Sequence, residues 1–357
     1  MNQSIVNKTA FNAIGVMSGT SLDGMDIAAV EFFLKENKWS FKLHAATTIS
    51  YSEQWFDLLK NAPTFSGEQL TELHFEYGRF IGEQVLKFIQ STNFAPDLVA
   101  SHGHTVFHRP EKGYTLQIGN GASIAAKTKT LTITDFRTGD VTLGGQGAPL
   151  VPIGDKLLFS KFDYCLNLGG FANVSFEQNG KRLAFDICPA NFILNHFAEK
   201  QGLAYDKNGE LGKKGNLNTG LLNKLNQIPF YNSAAPKSLG REWVEEAFFP
   251  VLDQFNISDA DKMRTVYEHT AIQITKVLSG KGKLLLTGGG AFNSFLTERI
   301  KDLTTCETII PSKEIIDFKE AIIFAFLGVL RIKNINNCLA SVTGASKDSC
   351  GGRVYNP

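Results

Sequence analysis

The sequence predicts an α/β protein of two related lobes with a cleft between them. Each half passes through three strand-like runs and then alternates helix with strand, the pattern of a largely parallel sheet covered by helices. A Gly-rich turn falls between the first two strands in both halves. With 357 residues, 43 % hydrophobic and 20 % charged, the chain is long enough for about two domains and a sizeable core.

In chain order, the first half opens with strands at Ala13–Met17, Met25–Phe33 and Trp39–Ile49, rich in β-formers and separated by Gly or Asn/Lys turns. Helices follow at Glu53–Lys60 and Glu68–Gln90. The second sets Leu70, Leu73, Tyr77, Phe80 and Ile81 at helical spacing. Strand Asp97–Ser101, helix Gly121–Lys127 and strand Leu131–Thr134 complete the half. The second half starts with strands Tyr164–Leu168, Ala172–Phe176 and Leu183–Ile187. Helix Ala190–Lys200, helix Ser258–Leu278, strand Lys283–Thr287, helix Phe292–Leu303, strand Thr308–Ile310 and helix Phe318–Ile332 follow. Residues 139–152 and 202–218 read as loops lining the cleft. The expected lobes are 1–150 and 151–357, with the final helix a candidate to cross back.

Lys plus Arg is 36 and Asp plus Glu 35, a formal charge of +1. That balance gives no footprint for nucleic acid or anionic membrane. The apolar stretch Ala321–Leu330 is far shorter than the ~20 residues of a membrane span. Met1–Thr9 is polar and lacks the apolar run of a signal peptide, so the cytosol is the expected compartment. Cys165, Cys188, Cys306, Cys338 and Cys350 show no C-x-x-C spacing, which argues against a disulfide framework or structural zinc.

Three glycine-rich turns carry the chemistry. In the first, Gly19, Thr20, Ser21, Leu22, Asp23, Gly24, Met25 and Asp26 join two strands. Its glycines let backbone N–H groups approach phosphate, its hydroxyls donate to it, and Asp23 and Asp26 are candidates to hold Mg²⁺. A plain hairpin turn is the alternative. The second turn, Asn167-Leu168-Gly169-Gly170, takes the matching place in the other half, and the two together suit one polyphosphate. The third, Gly288-Gly289-Gly290, lies between a strand and a helix, where bare backbone accepts a flat ring or ribose and a helix N-terminus offers N–H groups. It matches neither a Walker A loop nor a dinucleotide fingerprint.

Asp186 closes a strand before a helix, placed either as a general base or as an N-cap. Glu320 opens an apolar helix; sequence physics alone favours a first-turn acid on the helix dipole over a cleft residue. Ser101-His102-Gly103-His104 through His108 lacks acidic or Cys partners for a metal, leaving contacts to substrate hydroxyls or a structural loop. Arg137 suits a bidentate grip on a substrate carboxylate or a tie to Asp140.

The ordered set Gly19–Asp26, Ser101–Gly103, Asp135-Phe136-Arg137, Gly144–Pro152 (GGQGAPLVP), Asn167–Asn173 and Gly288–Gly290 closely resembles the anhydro-N-acetylmuramic acid kinases over nearly the whole chain. The resemblance implies a duplicated actin/hexokinase/Hsp70-like (ribonuclease H-like) fold with a central ATP cleft, use of ATP and Mg²⁺, and a homodimer. It implies the reaction of ATP, water and 1,6-anhydro-N-acetylmuramic acid to ADP and N-acetylmuramic acid 6-phosphate in cell-wall recycling. Asp186 matches the aspartate of the family's F-D-[TC]-G-P-G-N motif and is expected to activate water. Glu320 matches the glutamate of D-x-x-E-A and is expected to position that water. Ser101, His102, Arg137 and Asn191 are the expected substrate contacts. Cys188 and Ala190 replace two family glycines, and His104 stands where the family commonly has glutamine. The alternatives are a kinase for another sugar or amino sugar, which needs no Glu320-positioned water, and a nucleotide-dependent sensor, which needs no intact base.

Overall fold

The computed structural model describes residues 8–19, 22 and 24–357. β1 (Ala10–Ser18) pairs antiparallel with β2 (Met25–Lys35), which pairs antiparallel with β3 (Lys38–Ile49). β4 (Leu98–Ser101) runs parallel to β1 on its other side. β5 (His104–Arg109) and β6 (Tyr114–Ile118) form a separate antiparallel ribbon, and β7 (Leu131–Thr134) returns parallel to β4. Further along, β8 (Tyr164–Leu168), β9 (Phe171–Gln178) and β10 (Lys181–Pro189) repeat the antiparallel meander. β11 (Lys283–Thr287) is parallel to β8, and β12 (Glu307–Ile309) to β11. The order β10-β9-β8-β11-β12 thus repeats β3-β2-β1-β4-β7. This is the duplication expected of an actin/hexokinase/Hsp70-like α/β fold.

Two compact units result: Met1–Leu158 with Phe318–Pro357, and Phe159–Asp317. The boundary differs from the expected 150/151 division because one middle segment, residues 151–158, and one late segment, Phe318–Pro357, belong to the first unit. β13 (Arg353–Tyr355) pairs antiparallel with β7. The helix Val151–Leu158 packs so tightly that a Cβ on Gly154 would lie 2.6 Å from Ile323.

In the first unit, strand alternation sends side chains to two faces of the sheet. Ile14, Val16 and Ile27 meet Leu73, Tyr77, Ile81 and Val85 of the helix Gly67–Thr92. That helix starts at a capping box, Ser66 accepting from Gln69 N while the Gln69 side chain accepts from Ser66 N. The helix Lys313–Ile332 covers the opposite face, with Ala321 to Leu330 all buried. The apolar stretch that is too short for a membrane is therefore a central core helix. Among the described residues, no helix is long and apolar enough to cross a membrane. In the second unit, Met263, Val266, Ala271 and Ile274 of the helix Asp259–Val277 share a core with Leu166, Leu168, Leu284 and Leu286.

The expected loops differ in detail. Residues 139–152 overlap the helix Thr138–Thr142 and the start of Val151–Leu158, and 202–218 contain the helix Glu210–Lys214. Helices of one or two turns are too short to show an apolar stripe.

The core helix approaches β1 backbone to backbone. A Cβ on Gly15 would stand 1.8 Å from the Ala321 carbonyl oxygen. Gly15→Ala should therefore cost about 1–3 kcal/mol or more and lower the melting temperature by several degrees. An unchanged melting temperature would contradict this packing.

Candidate active site

In the first unit, the β1–β2 connection is held by the register Ser18↔Met25 and Met17↔Asp26. Of its expected phosphate-binding residues, Thr20, Ser21 and Asp23 lie outside the described residues. Leu22 takes φ 59°, a conformation costly for an aliphatic side chain and concentrated at ligand-binding turns. Asp26 leads β2, its Oδ1 accepting from Thr48 Oγ1 at 2.5 Å across the β2–β3 pair.

Beside this turn, Ser18 Oγ lies 2.7 Å from Tyr51 Oη, which lies 2.6 Å from the buried Tyr77 Oη. Ser18 Oγ also meets His104 Nδ1 at 3.4 Å. Burial lowers His104 to about 4 and keeps it neutral. His102 is also held well below the usual imidazole range, by burial first and the Arg137 charge second. Its tautomer follows from its partners: Arg137 Nε donates to Nε2 at 2.9 Å, so Nδ1 carries the proton and donates to Gly103 O at 2.9 Å. Ser101, fully buried, accepts from Gly103 N at 3.2 Å.

Arg137 Nη1 donates to Gly147 O at 2.6 Å, while Asp140 Oδ2 accepts from Gly147 N at 2.8 Å. The expected tie of Arg137 to Asp140 runs through the Gly147 peptide, which the two side chains clamp from both ends. Two edges of its guanidinium are engaged in that clamp and on His102. Asp140 Oδ1 accepts from Thr343 Oγ1 at 2.7 Å, tying the same loop to the C-terminal segment.

Glu320 corrects the dipole reading. The helix begins at Lys313, so Glu320 sits well beyond its first turn. The missed signal was Pro311-Ser312: Ile316 N donates to Ser312 O at 3.1 Å, and Pro commonly precedes a helix start. Water reaches Glu320, yet surrounding protein raises its carboxyl, opposed by the Arg137 and Lys319 charges and reinforced by Asp26. The first unit therefore gathers Asp26, Arg137 and Glu320 within electrostatic reach from three separate elements. Lys319, next in line, forms a buried ion pair with Asp155 at 2.8 Å.

In the second unit, Gly169 and Gly170 make the two-residue turn between β8 and β9. Ala190 N and Phe192 N donate to Gly170 O, and Asn191 N to Gly169 O. Gly288 takes φ 81°, and a Cβ there would lie 2.7 Å from Asn167 Oδ1, so the two glycine turns are in contact. Asn191 Nδ2 donates to Leu168 O at 3.1 Å, joining that contact. The helix after Gly288–Gly290 starts at Ser294, and Asn293 caps it by accepting from Leu296 N. One of the N–H groups expected there for a ligand is thus already satisfied.

Asn191, Gly289 and Gly290 line a cavity of about 580 Å³ with Tyr205, Asn208 and Phe292, within the size range of small-ligand pockets. Behind it, buried Asp206 accepts from Tyr267 Oη at 3.0 Å, Leu211 N at 2.9 Å and Gly212 N at 3.1 Å. Asn293 Nδ2 donates to Tyr267 Oη at 2.6 Å. This network joins the 205–208 segment to the third glycine turn. Sequence reading missed it because 202–218 passed as a loop.

Asp186 lies within β10, before a bulge between Asp186 and Cys188; Ala190, not Asp186, is the N-cap of the helix Asn191–Glu199. Leu239 N donates to Asp186 Oδ2 at 2.8 Å, and Asp186 N donates to Lys237 O at 3.1 Å. Burial raises its carboxyl, partly offset by that Leu239 bond. Cys188 and Ala190 are buried in the second core, and neither is among the positive-φ residues, so the loss of two glycines leaves this backbone free of left-handed strain. The Cys188 thiol is pushed far up by burial and by Asp186, which makes it an inert packing group.

The sequence profile of the anhydro-N-acetylmuramic acid kinase family matches residues 11–357. The chain is 36 % identical to an anhydro-N-acetylmuramic acid kinase of Mannheimia succiniciproducens over 96 % of this chain and 98 % of that one. It is 34 % identical to the Vibrio cholerae protein of the same name, with the same coverage. Among solved structures, it is similar to an activator of 2-hydroxyisocaproyl-CoA dehydratase from Clostridium difficile at 14 % identity and a TM-score of 0.41, covering 90 % of this chain and 96 % of that one.

The buried histidines make acid stability testable. His104 is lowered to about 4 and His269 to about 3 by burial. An unfolded chain binds these protons near pH 6.5, so stability rises with pH across the window from about 4 to 6.5 and is lost on acidification, at about 1.4 kcal/mol per pH unit per group. The melting temperature should fall steadily from pH 6.5 to pH 4. A flat profile would contradict neutral burial.

Proposed function

The chain belongs to the anhydro-N-acetylmuramic acid kinase family and is an enzyme of that activity, and we propose that Asp186 is the base that activates water for its reaction. The oxygen of that water bonds to the anomeric carbon of 1,6-anhydro-N-acetylmuramic acid, and its proton passes to Asp186. The bond from the anomeric carbon to O6 breaks, its electron pair goes to O6, and O6 takes the γ-phosphoryl of ATP. The products are ADP and N-acetylmuramic acid 6-phosphate, consistent with peptidoglycan recycling.

One observation supports this assignment above the others. Leu239 N engages Asp186 Oδ2, and among the described residues Oδ1 accepts no hydrogen bond. One oxygen orients the carboxylate while the other is available to a water. Burial raises its basicity toward what proton abstraction needs. Glu320 is assigned to position that water, its carboxyl raised by desolvation and opposed by the Arg137 charge.

The Gly19–Gly24 and Asn167–Gly170 turns are assigned to the ATP phosphates, and Gly288–Gly290 with the adjoining cavity to adenosine. Ser101 and His102 shape the sugar site, with Arg137 acting through the Gly147 clamp. Asn191, through Leu168 O and the cavity wall, serves the nucleotide side as well as the expected sugar contact. Among the described residues no cluster of three or more His, Cys, Asp or Glu can hold a metal by itself. That suits Mg²⁺, which binds through one or two carboxylates plus substrate phosphates; Asp26 and Asp23 would hold it. Bound there, it would neutralise charge on the transferring phosphoryl group. A cytosolic homodimer completes the proposal.

Asp186→Asn should bind ADP by calorimetry within about twofold of wild type and lose roughly 10²–10⁴-fold in kcat. Near-normal turnover would overturn the base assignment. Full ATP consumption with a different sugar, and none with the anhydro sugar, would overturn the substrate.

A further inference from the structure

Asp186 is held by a segment that has no other evident task. Residues 233–240 form no helix or strand and are largely exposed, yet Lys237 O and Leu239 N both bond Asp186. The segment is anchored at its start. Tyr231 closes the turn Pro229–Asn232, and its hydroxyl meets His269 Nε2 at 2.9 Å.

His269 is fully buried, and its proton can be placed. Nδ1 faces Asn226 Oδ1 at 2.9 Å, an acceptor that also receives Gln273 Nε2 at 2.7 Å. Nδ1 therefore donates, Nε2 is a lone-pair acceptor, and Tyr231 must be the donor to it. This fixes the direction of each bond from the helices Thr219–Asn226 and Asp259–Val277 to Tyr231. Lys237 Nζ then ties the segment back on itself, donating to Phe230 O at 3.1 Å and Tyr231 O at 3.5 Å above the Phe230 ring at 4.6 Å.

Resting on the reading of Asp186 as the base, we propose that Tyr231, His269 and Lys237 are positioning residues: a hydrogen-bonded strap from the buried helix to Lys237–Leu239 that sets which oxygen of Asp186 faces the water. None of them touches the nucleotide cavity. Their loss therefore acts on turnover rather than on nucleotide binding. Misplacing a catalytic group by a fraction of an ångström is enough to slow chemistry by an order of magnitude or more.

The test compares Lys237→Met, Tyr231→Phe and Asp186→Asn, measuring kcat for the anhydro sugar, KM for ATP, ADP affinity and melting temperature. Lys237→Met alters a half-exposed side chain, and Tyr231→Phe keeps the ring, so both are expected to fold. Each should lower kcat by about 10-fold or more with KM for ATP and ADP affinity within about twofold, and Lys237→Arg should recover most of the loss. An unchanged kcat in both variants, while Asp186→Asn is inactive, would overturn the strap and leave the base intact. Active Asp186→Asn would overturn the base itself. A fall in ADP affinity parallel to kcat would show a structural role only.

Discussion

The contact between the core helix and β1 governs the first unit. Where Gly15 faces the Ala321 carbonyl, no side chain fits, and the helix backbone lies directly on the strand. Glu320 is the residue before that contact, and the phosphate-loop turn begins shortly after Gly15 on the same strand. The close approach thus fixes the distance between the carboxylate proposed to position water and the loop proposed to hold phosphate. A second close approach, where a Cβ on Gly328 would stand 2.7 Å from Ala100 Cβ, keeps the same helix aligned over β4, which leads into Ser101 and His102. Aromatic packing of Phe324 on His102 and Phe136 then couples the helix to the Arg137 clamp.

The second unit solves a different problem: holding polar groups steady beside an apolar core. Asp206 is satisfied there by three donors, and His269 by one donor and one acceptor. The Asp206–Tyr267–Asn293 network shapes the cavity beside the third glycine turn, while the Asn226–His269–Tyr231 chain leads toward Asp186. Both start from the helix Asp259–Val277, so one helix anchors the cavity wall and the segment beside Asp186 separately.

Much of this was legible in the sequence. Strands β7, β8 and β11 fall at the bounds their apolar runs suggest, because short buried strands flanked by Gly or polar residues carry a strong local signal. The assignment of Asp186 and Glu320 as the proposed catalytic pair came from family motifs, since a lone carboxylate is ambiguous between base, cap and dipole partner. The structure removes the cap and dipole alternatives through the β10 bulge and the earlier helix start. What stayed hidden depends on distant pairing. Ala234–Gly240 has no periodicity, and its importance arises from meeting Asp186 about fifty residues away in sequence. The β5–β6 ribbon was masked by its histidines, which drew attention to ligand chemistry over alternation.

The most direct test of the account follows the water oxygen. Anhydro sugar and Mg-ATP are mixed in ¹⁸O water, sampled early because the free anomeric hydroxyl exchanges, and analysed by mass spectrometry. The account predicts a 6-phosphorylated sugar with the label at its anomeric carbon and none in the bridge to phosphate. Label in the phosphate ester, or ATP hydrolysis with the anhydro ring intact, would contradict coupled ring opening and phosphoryl transfer.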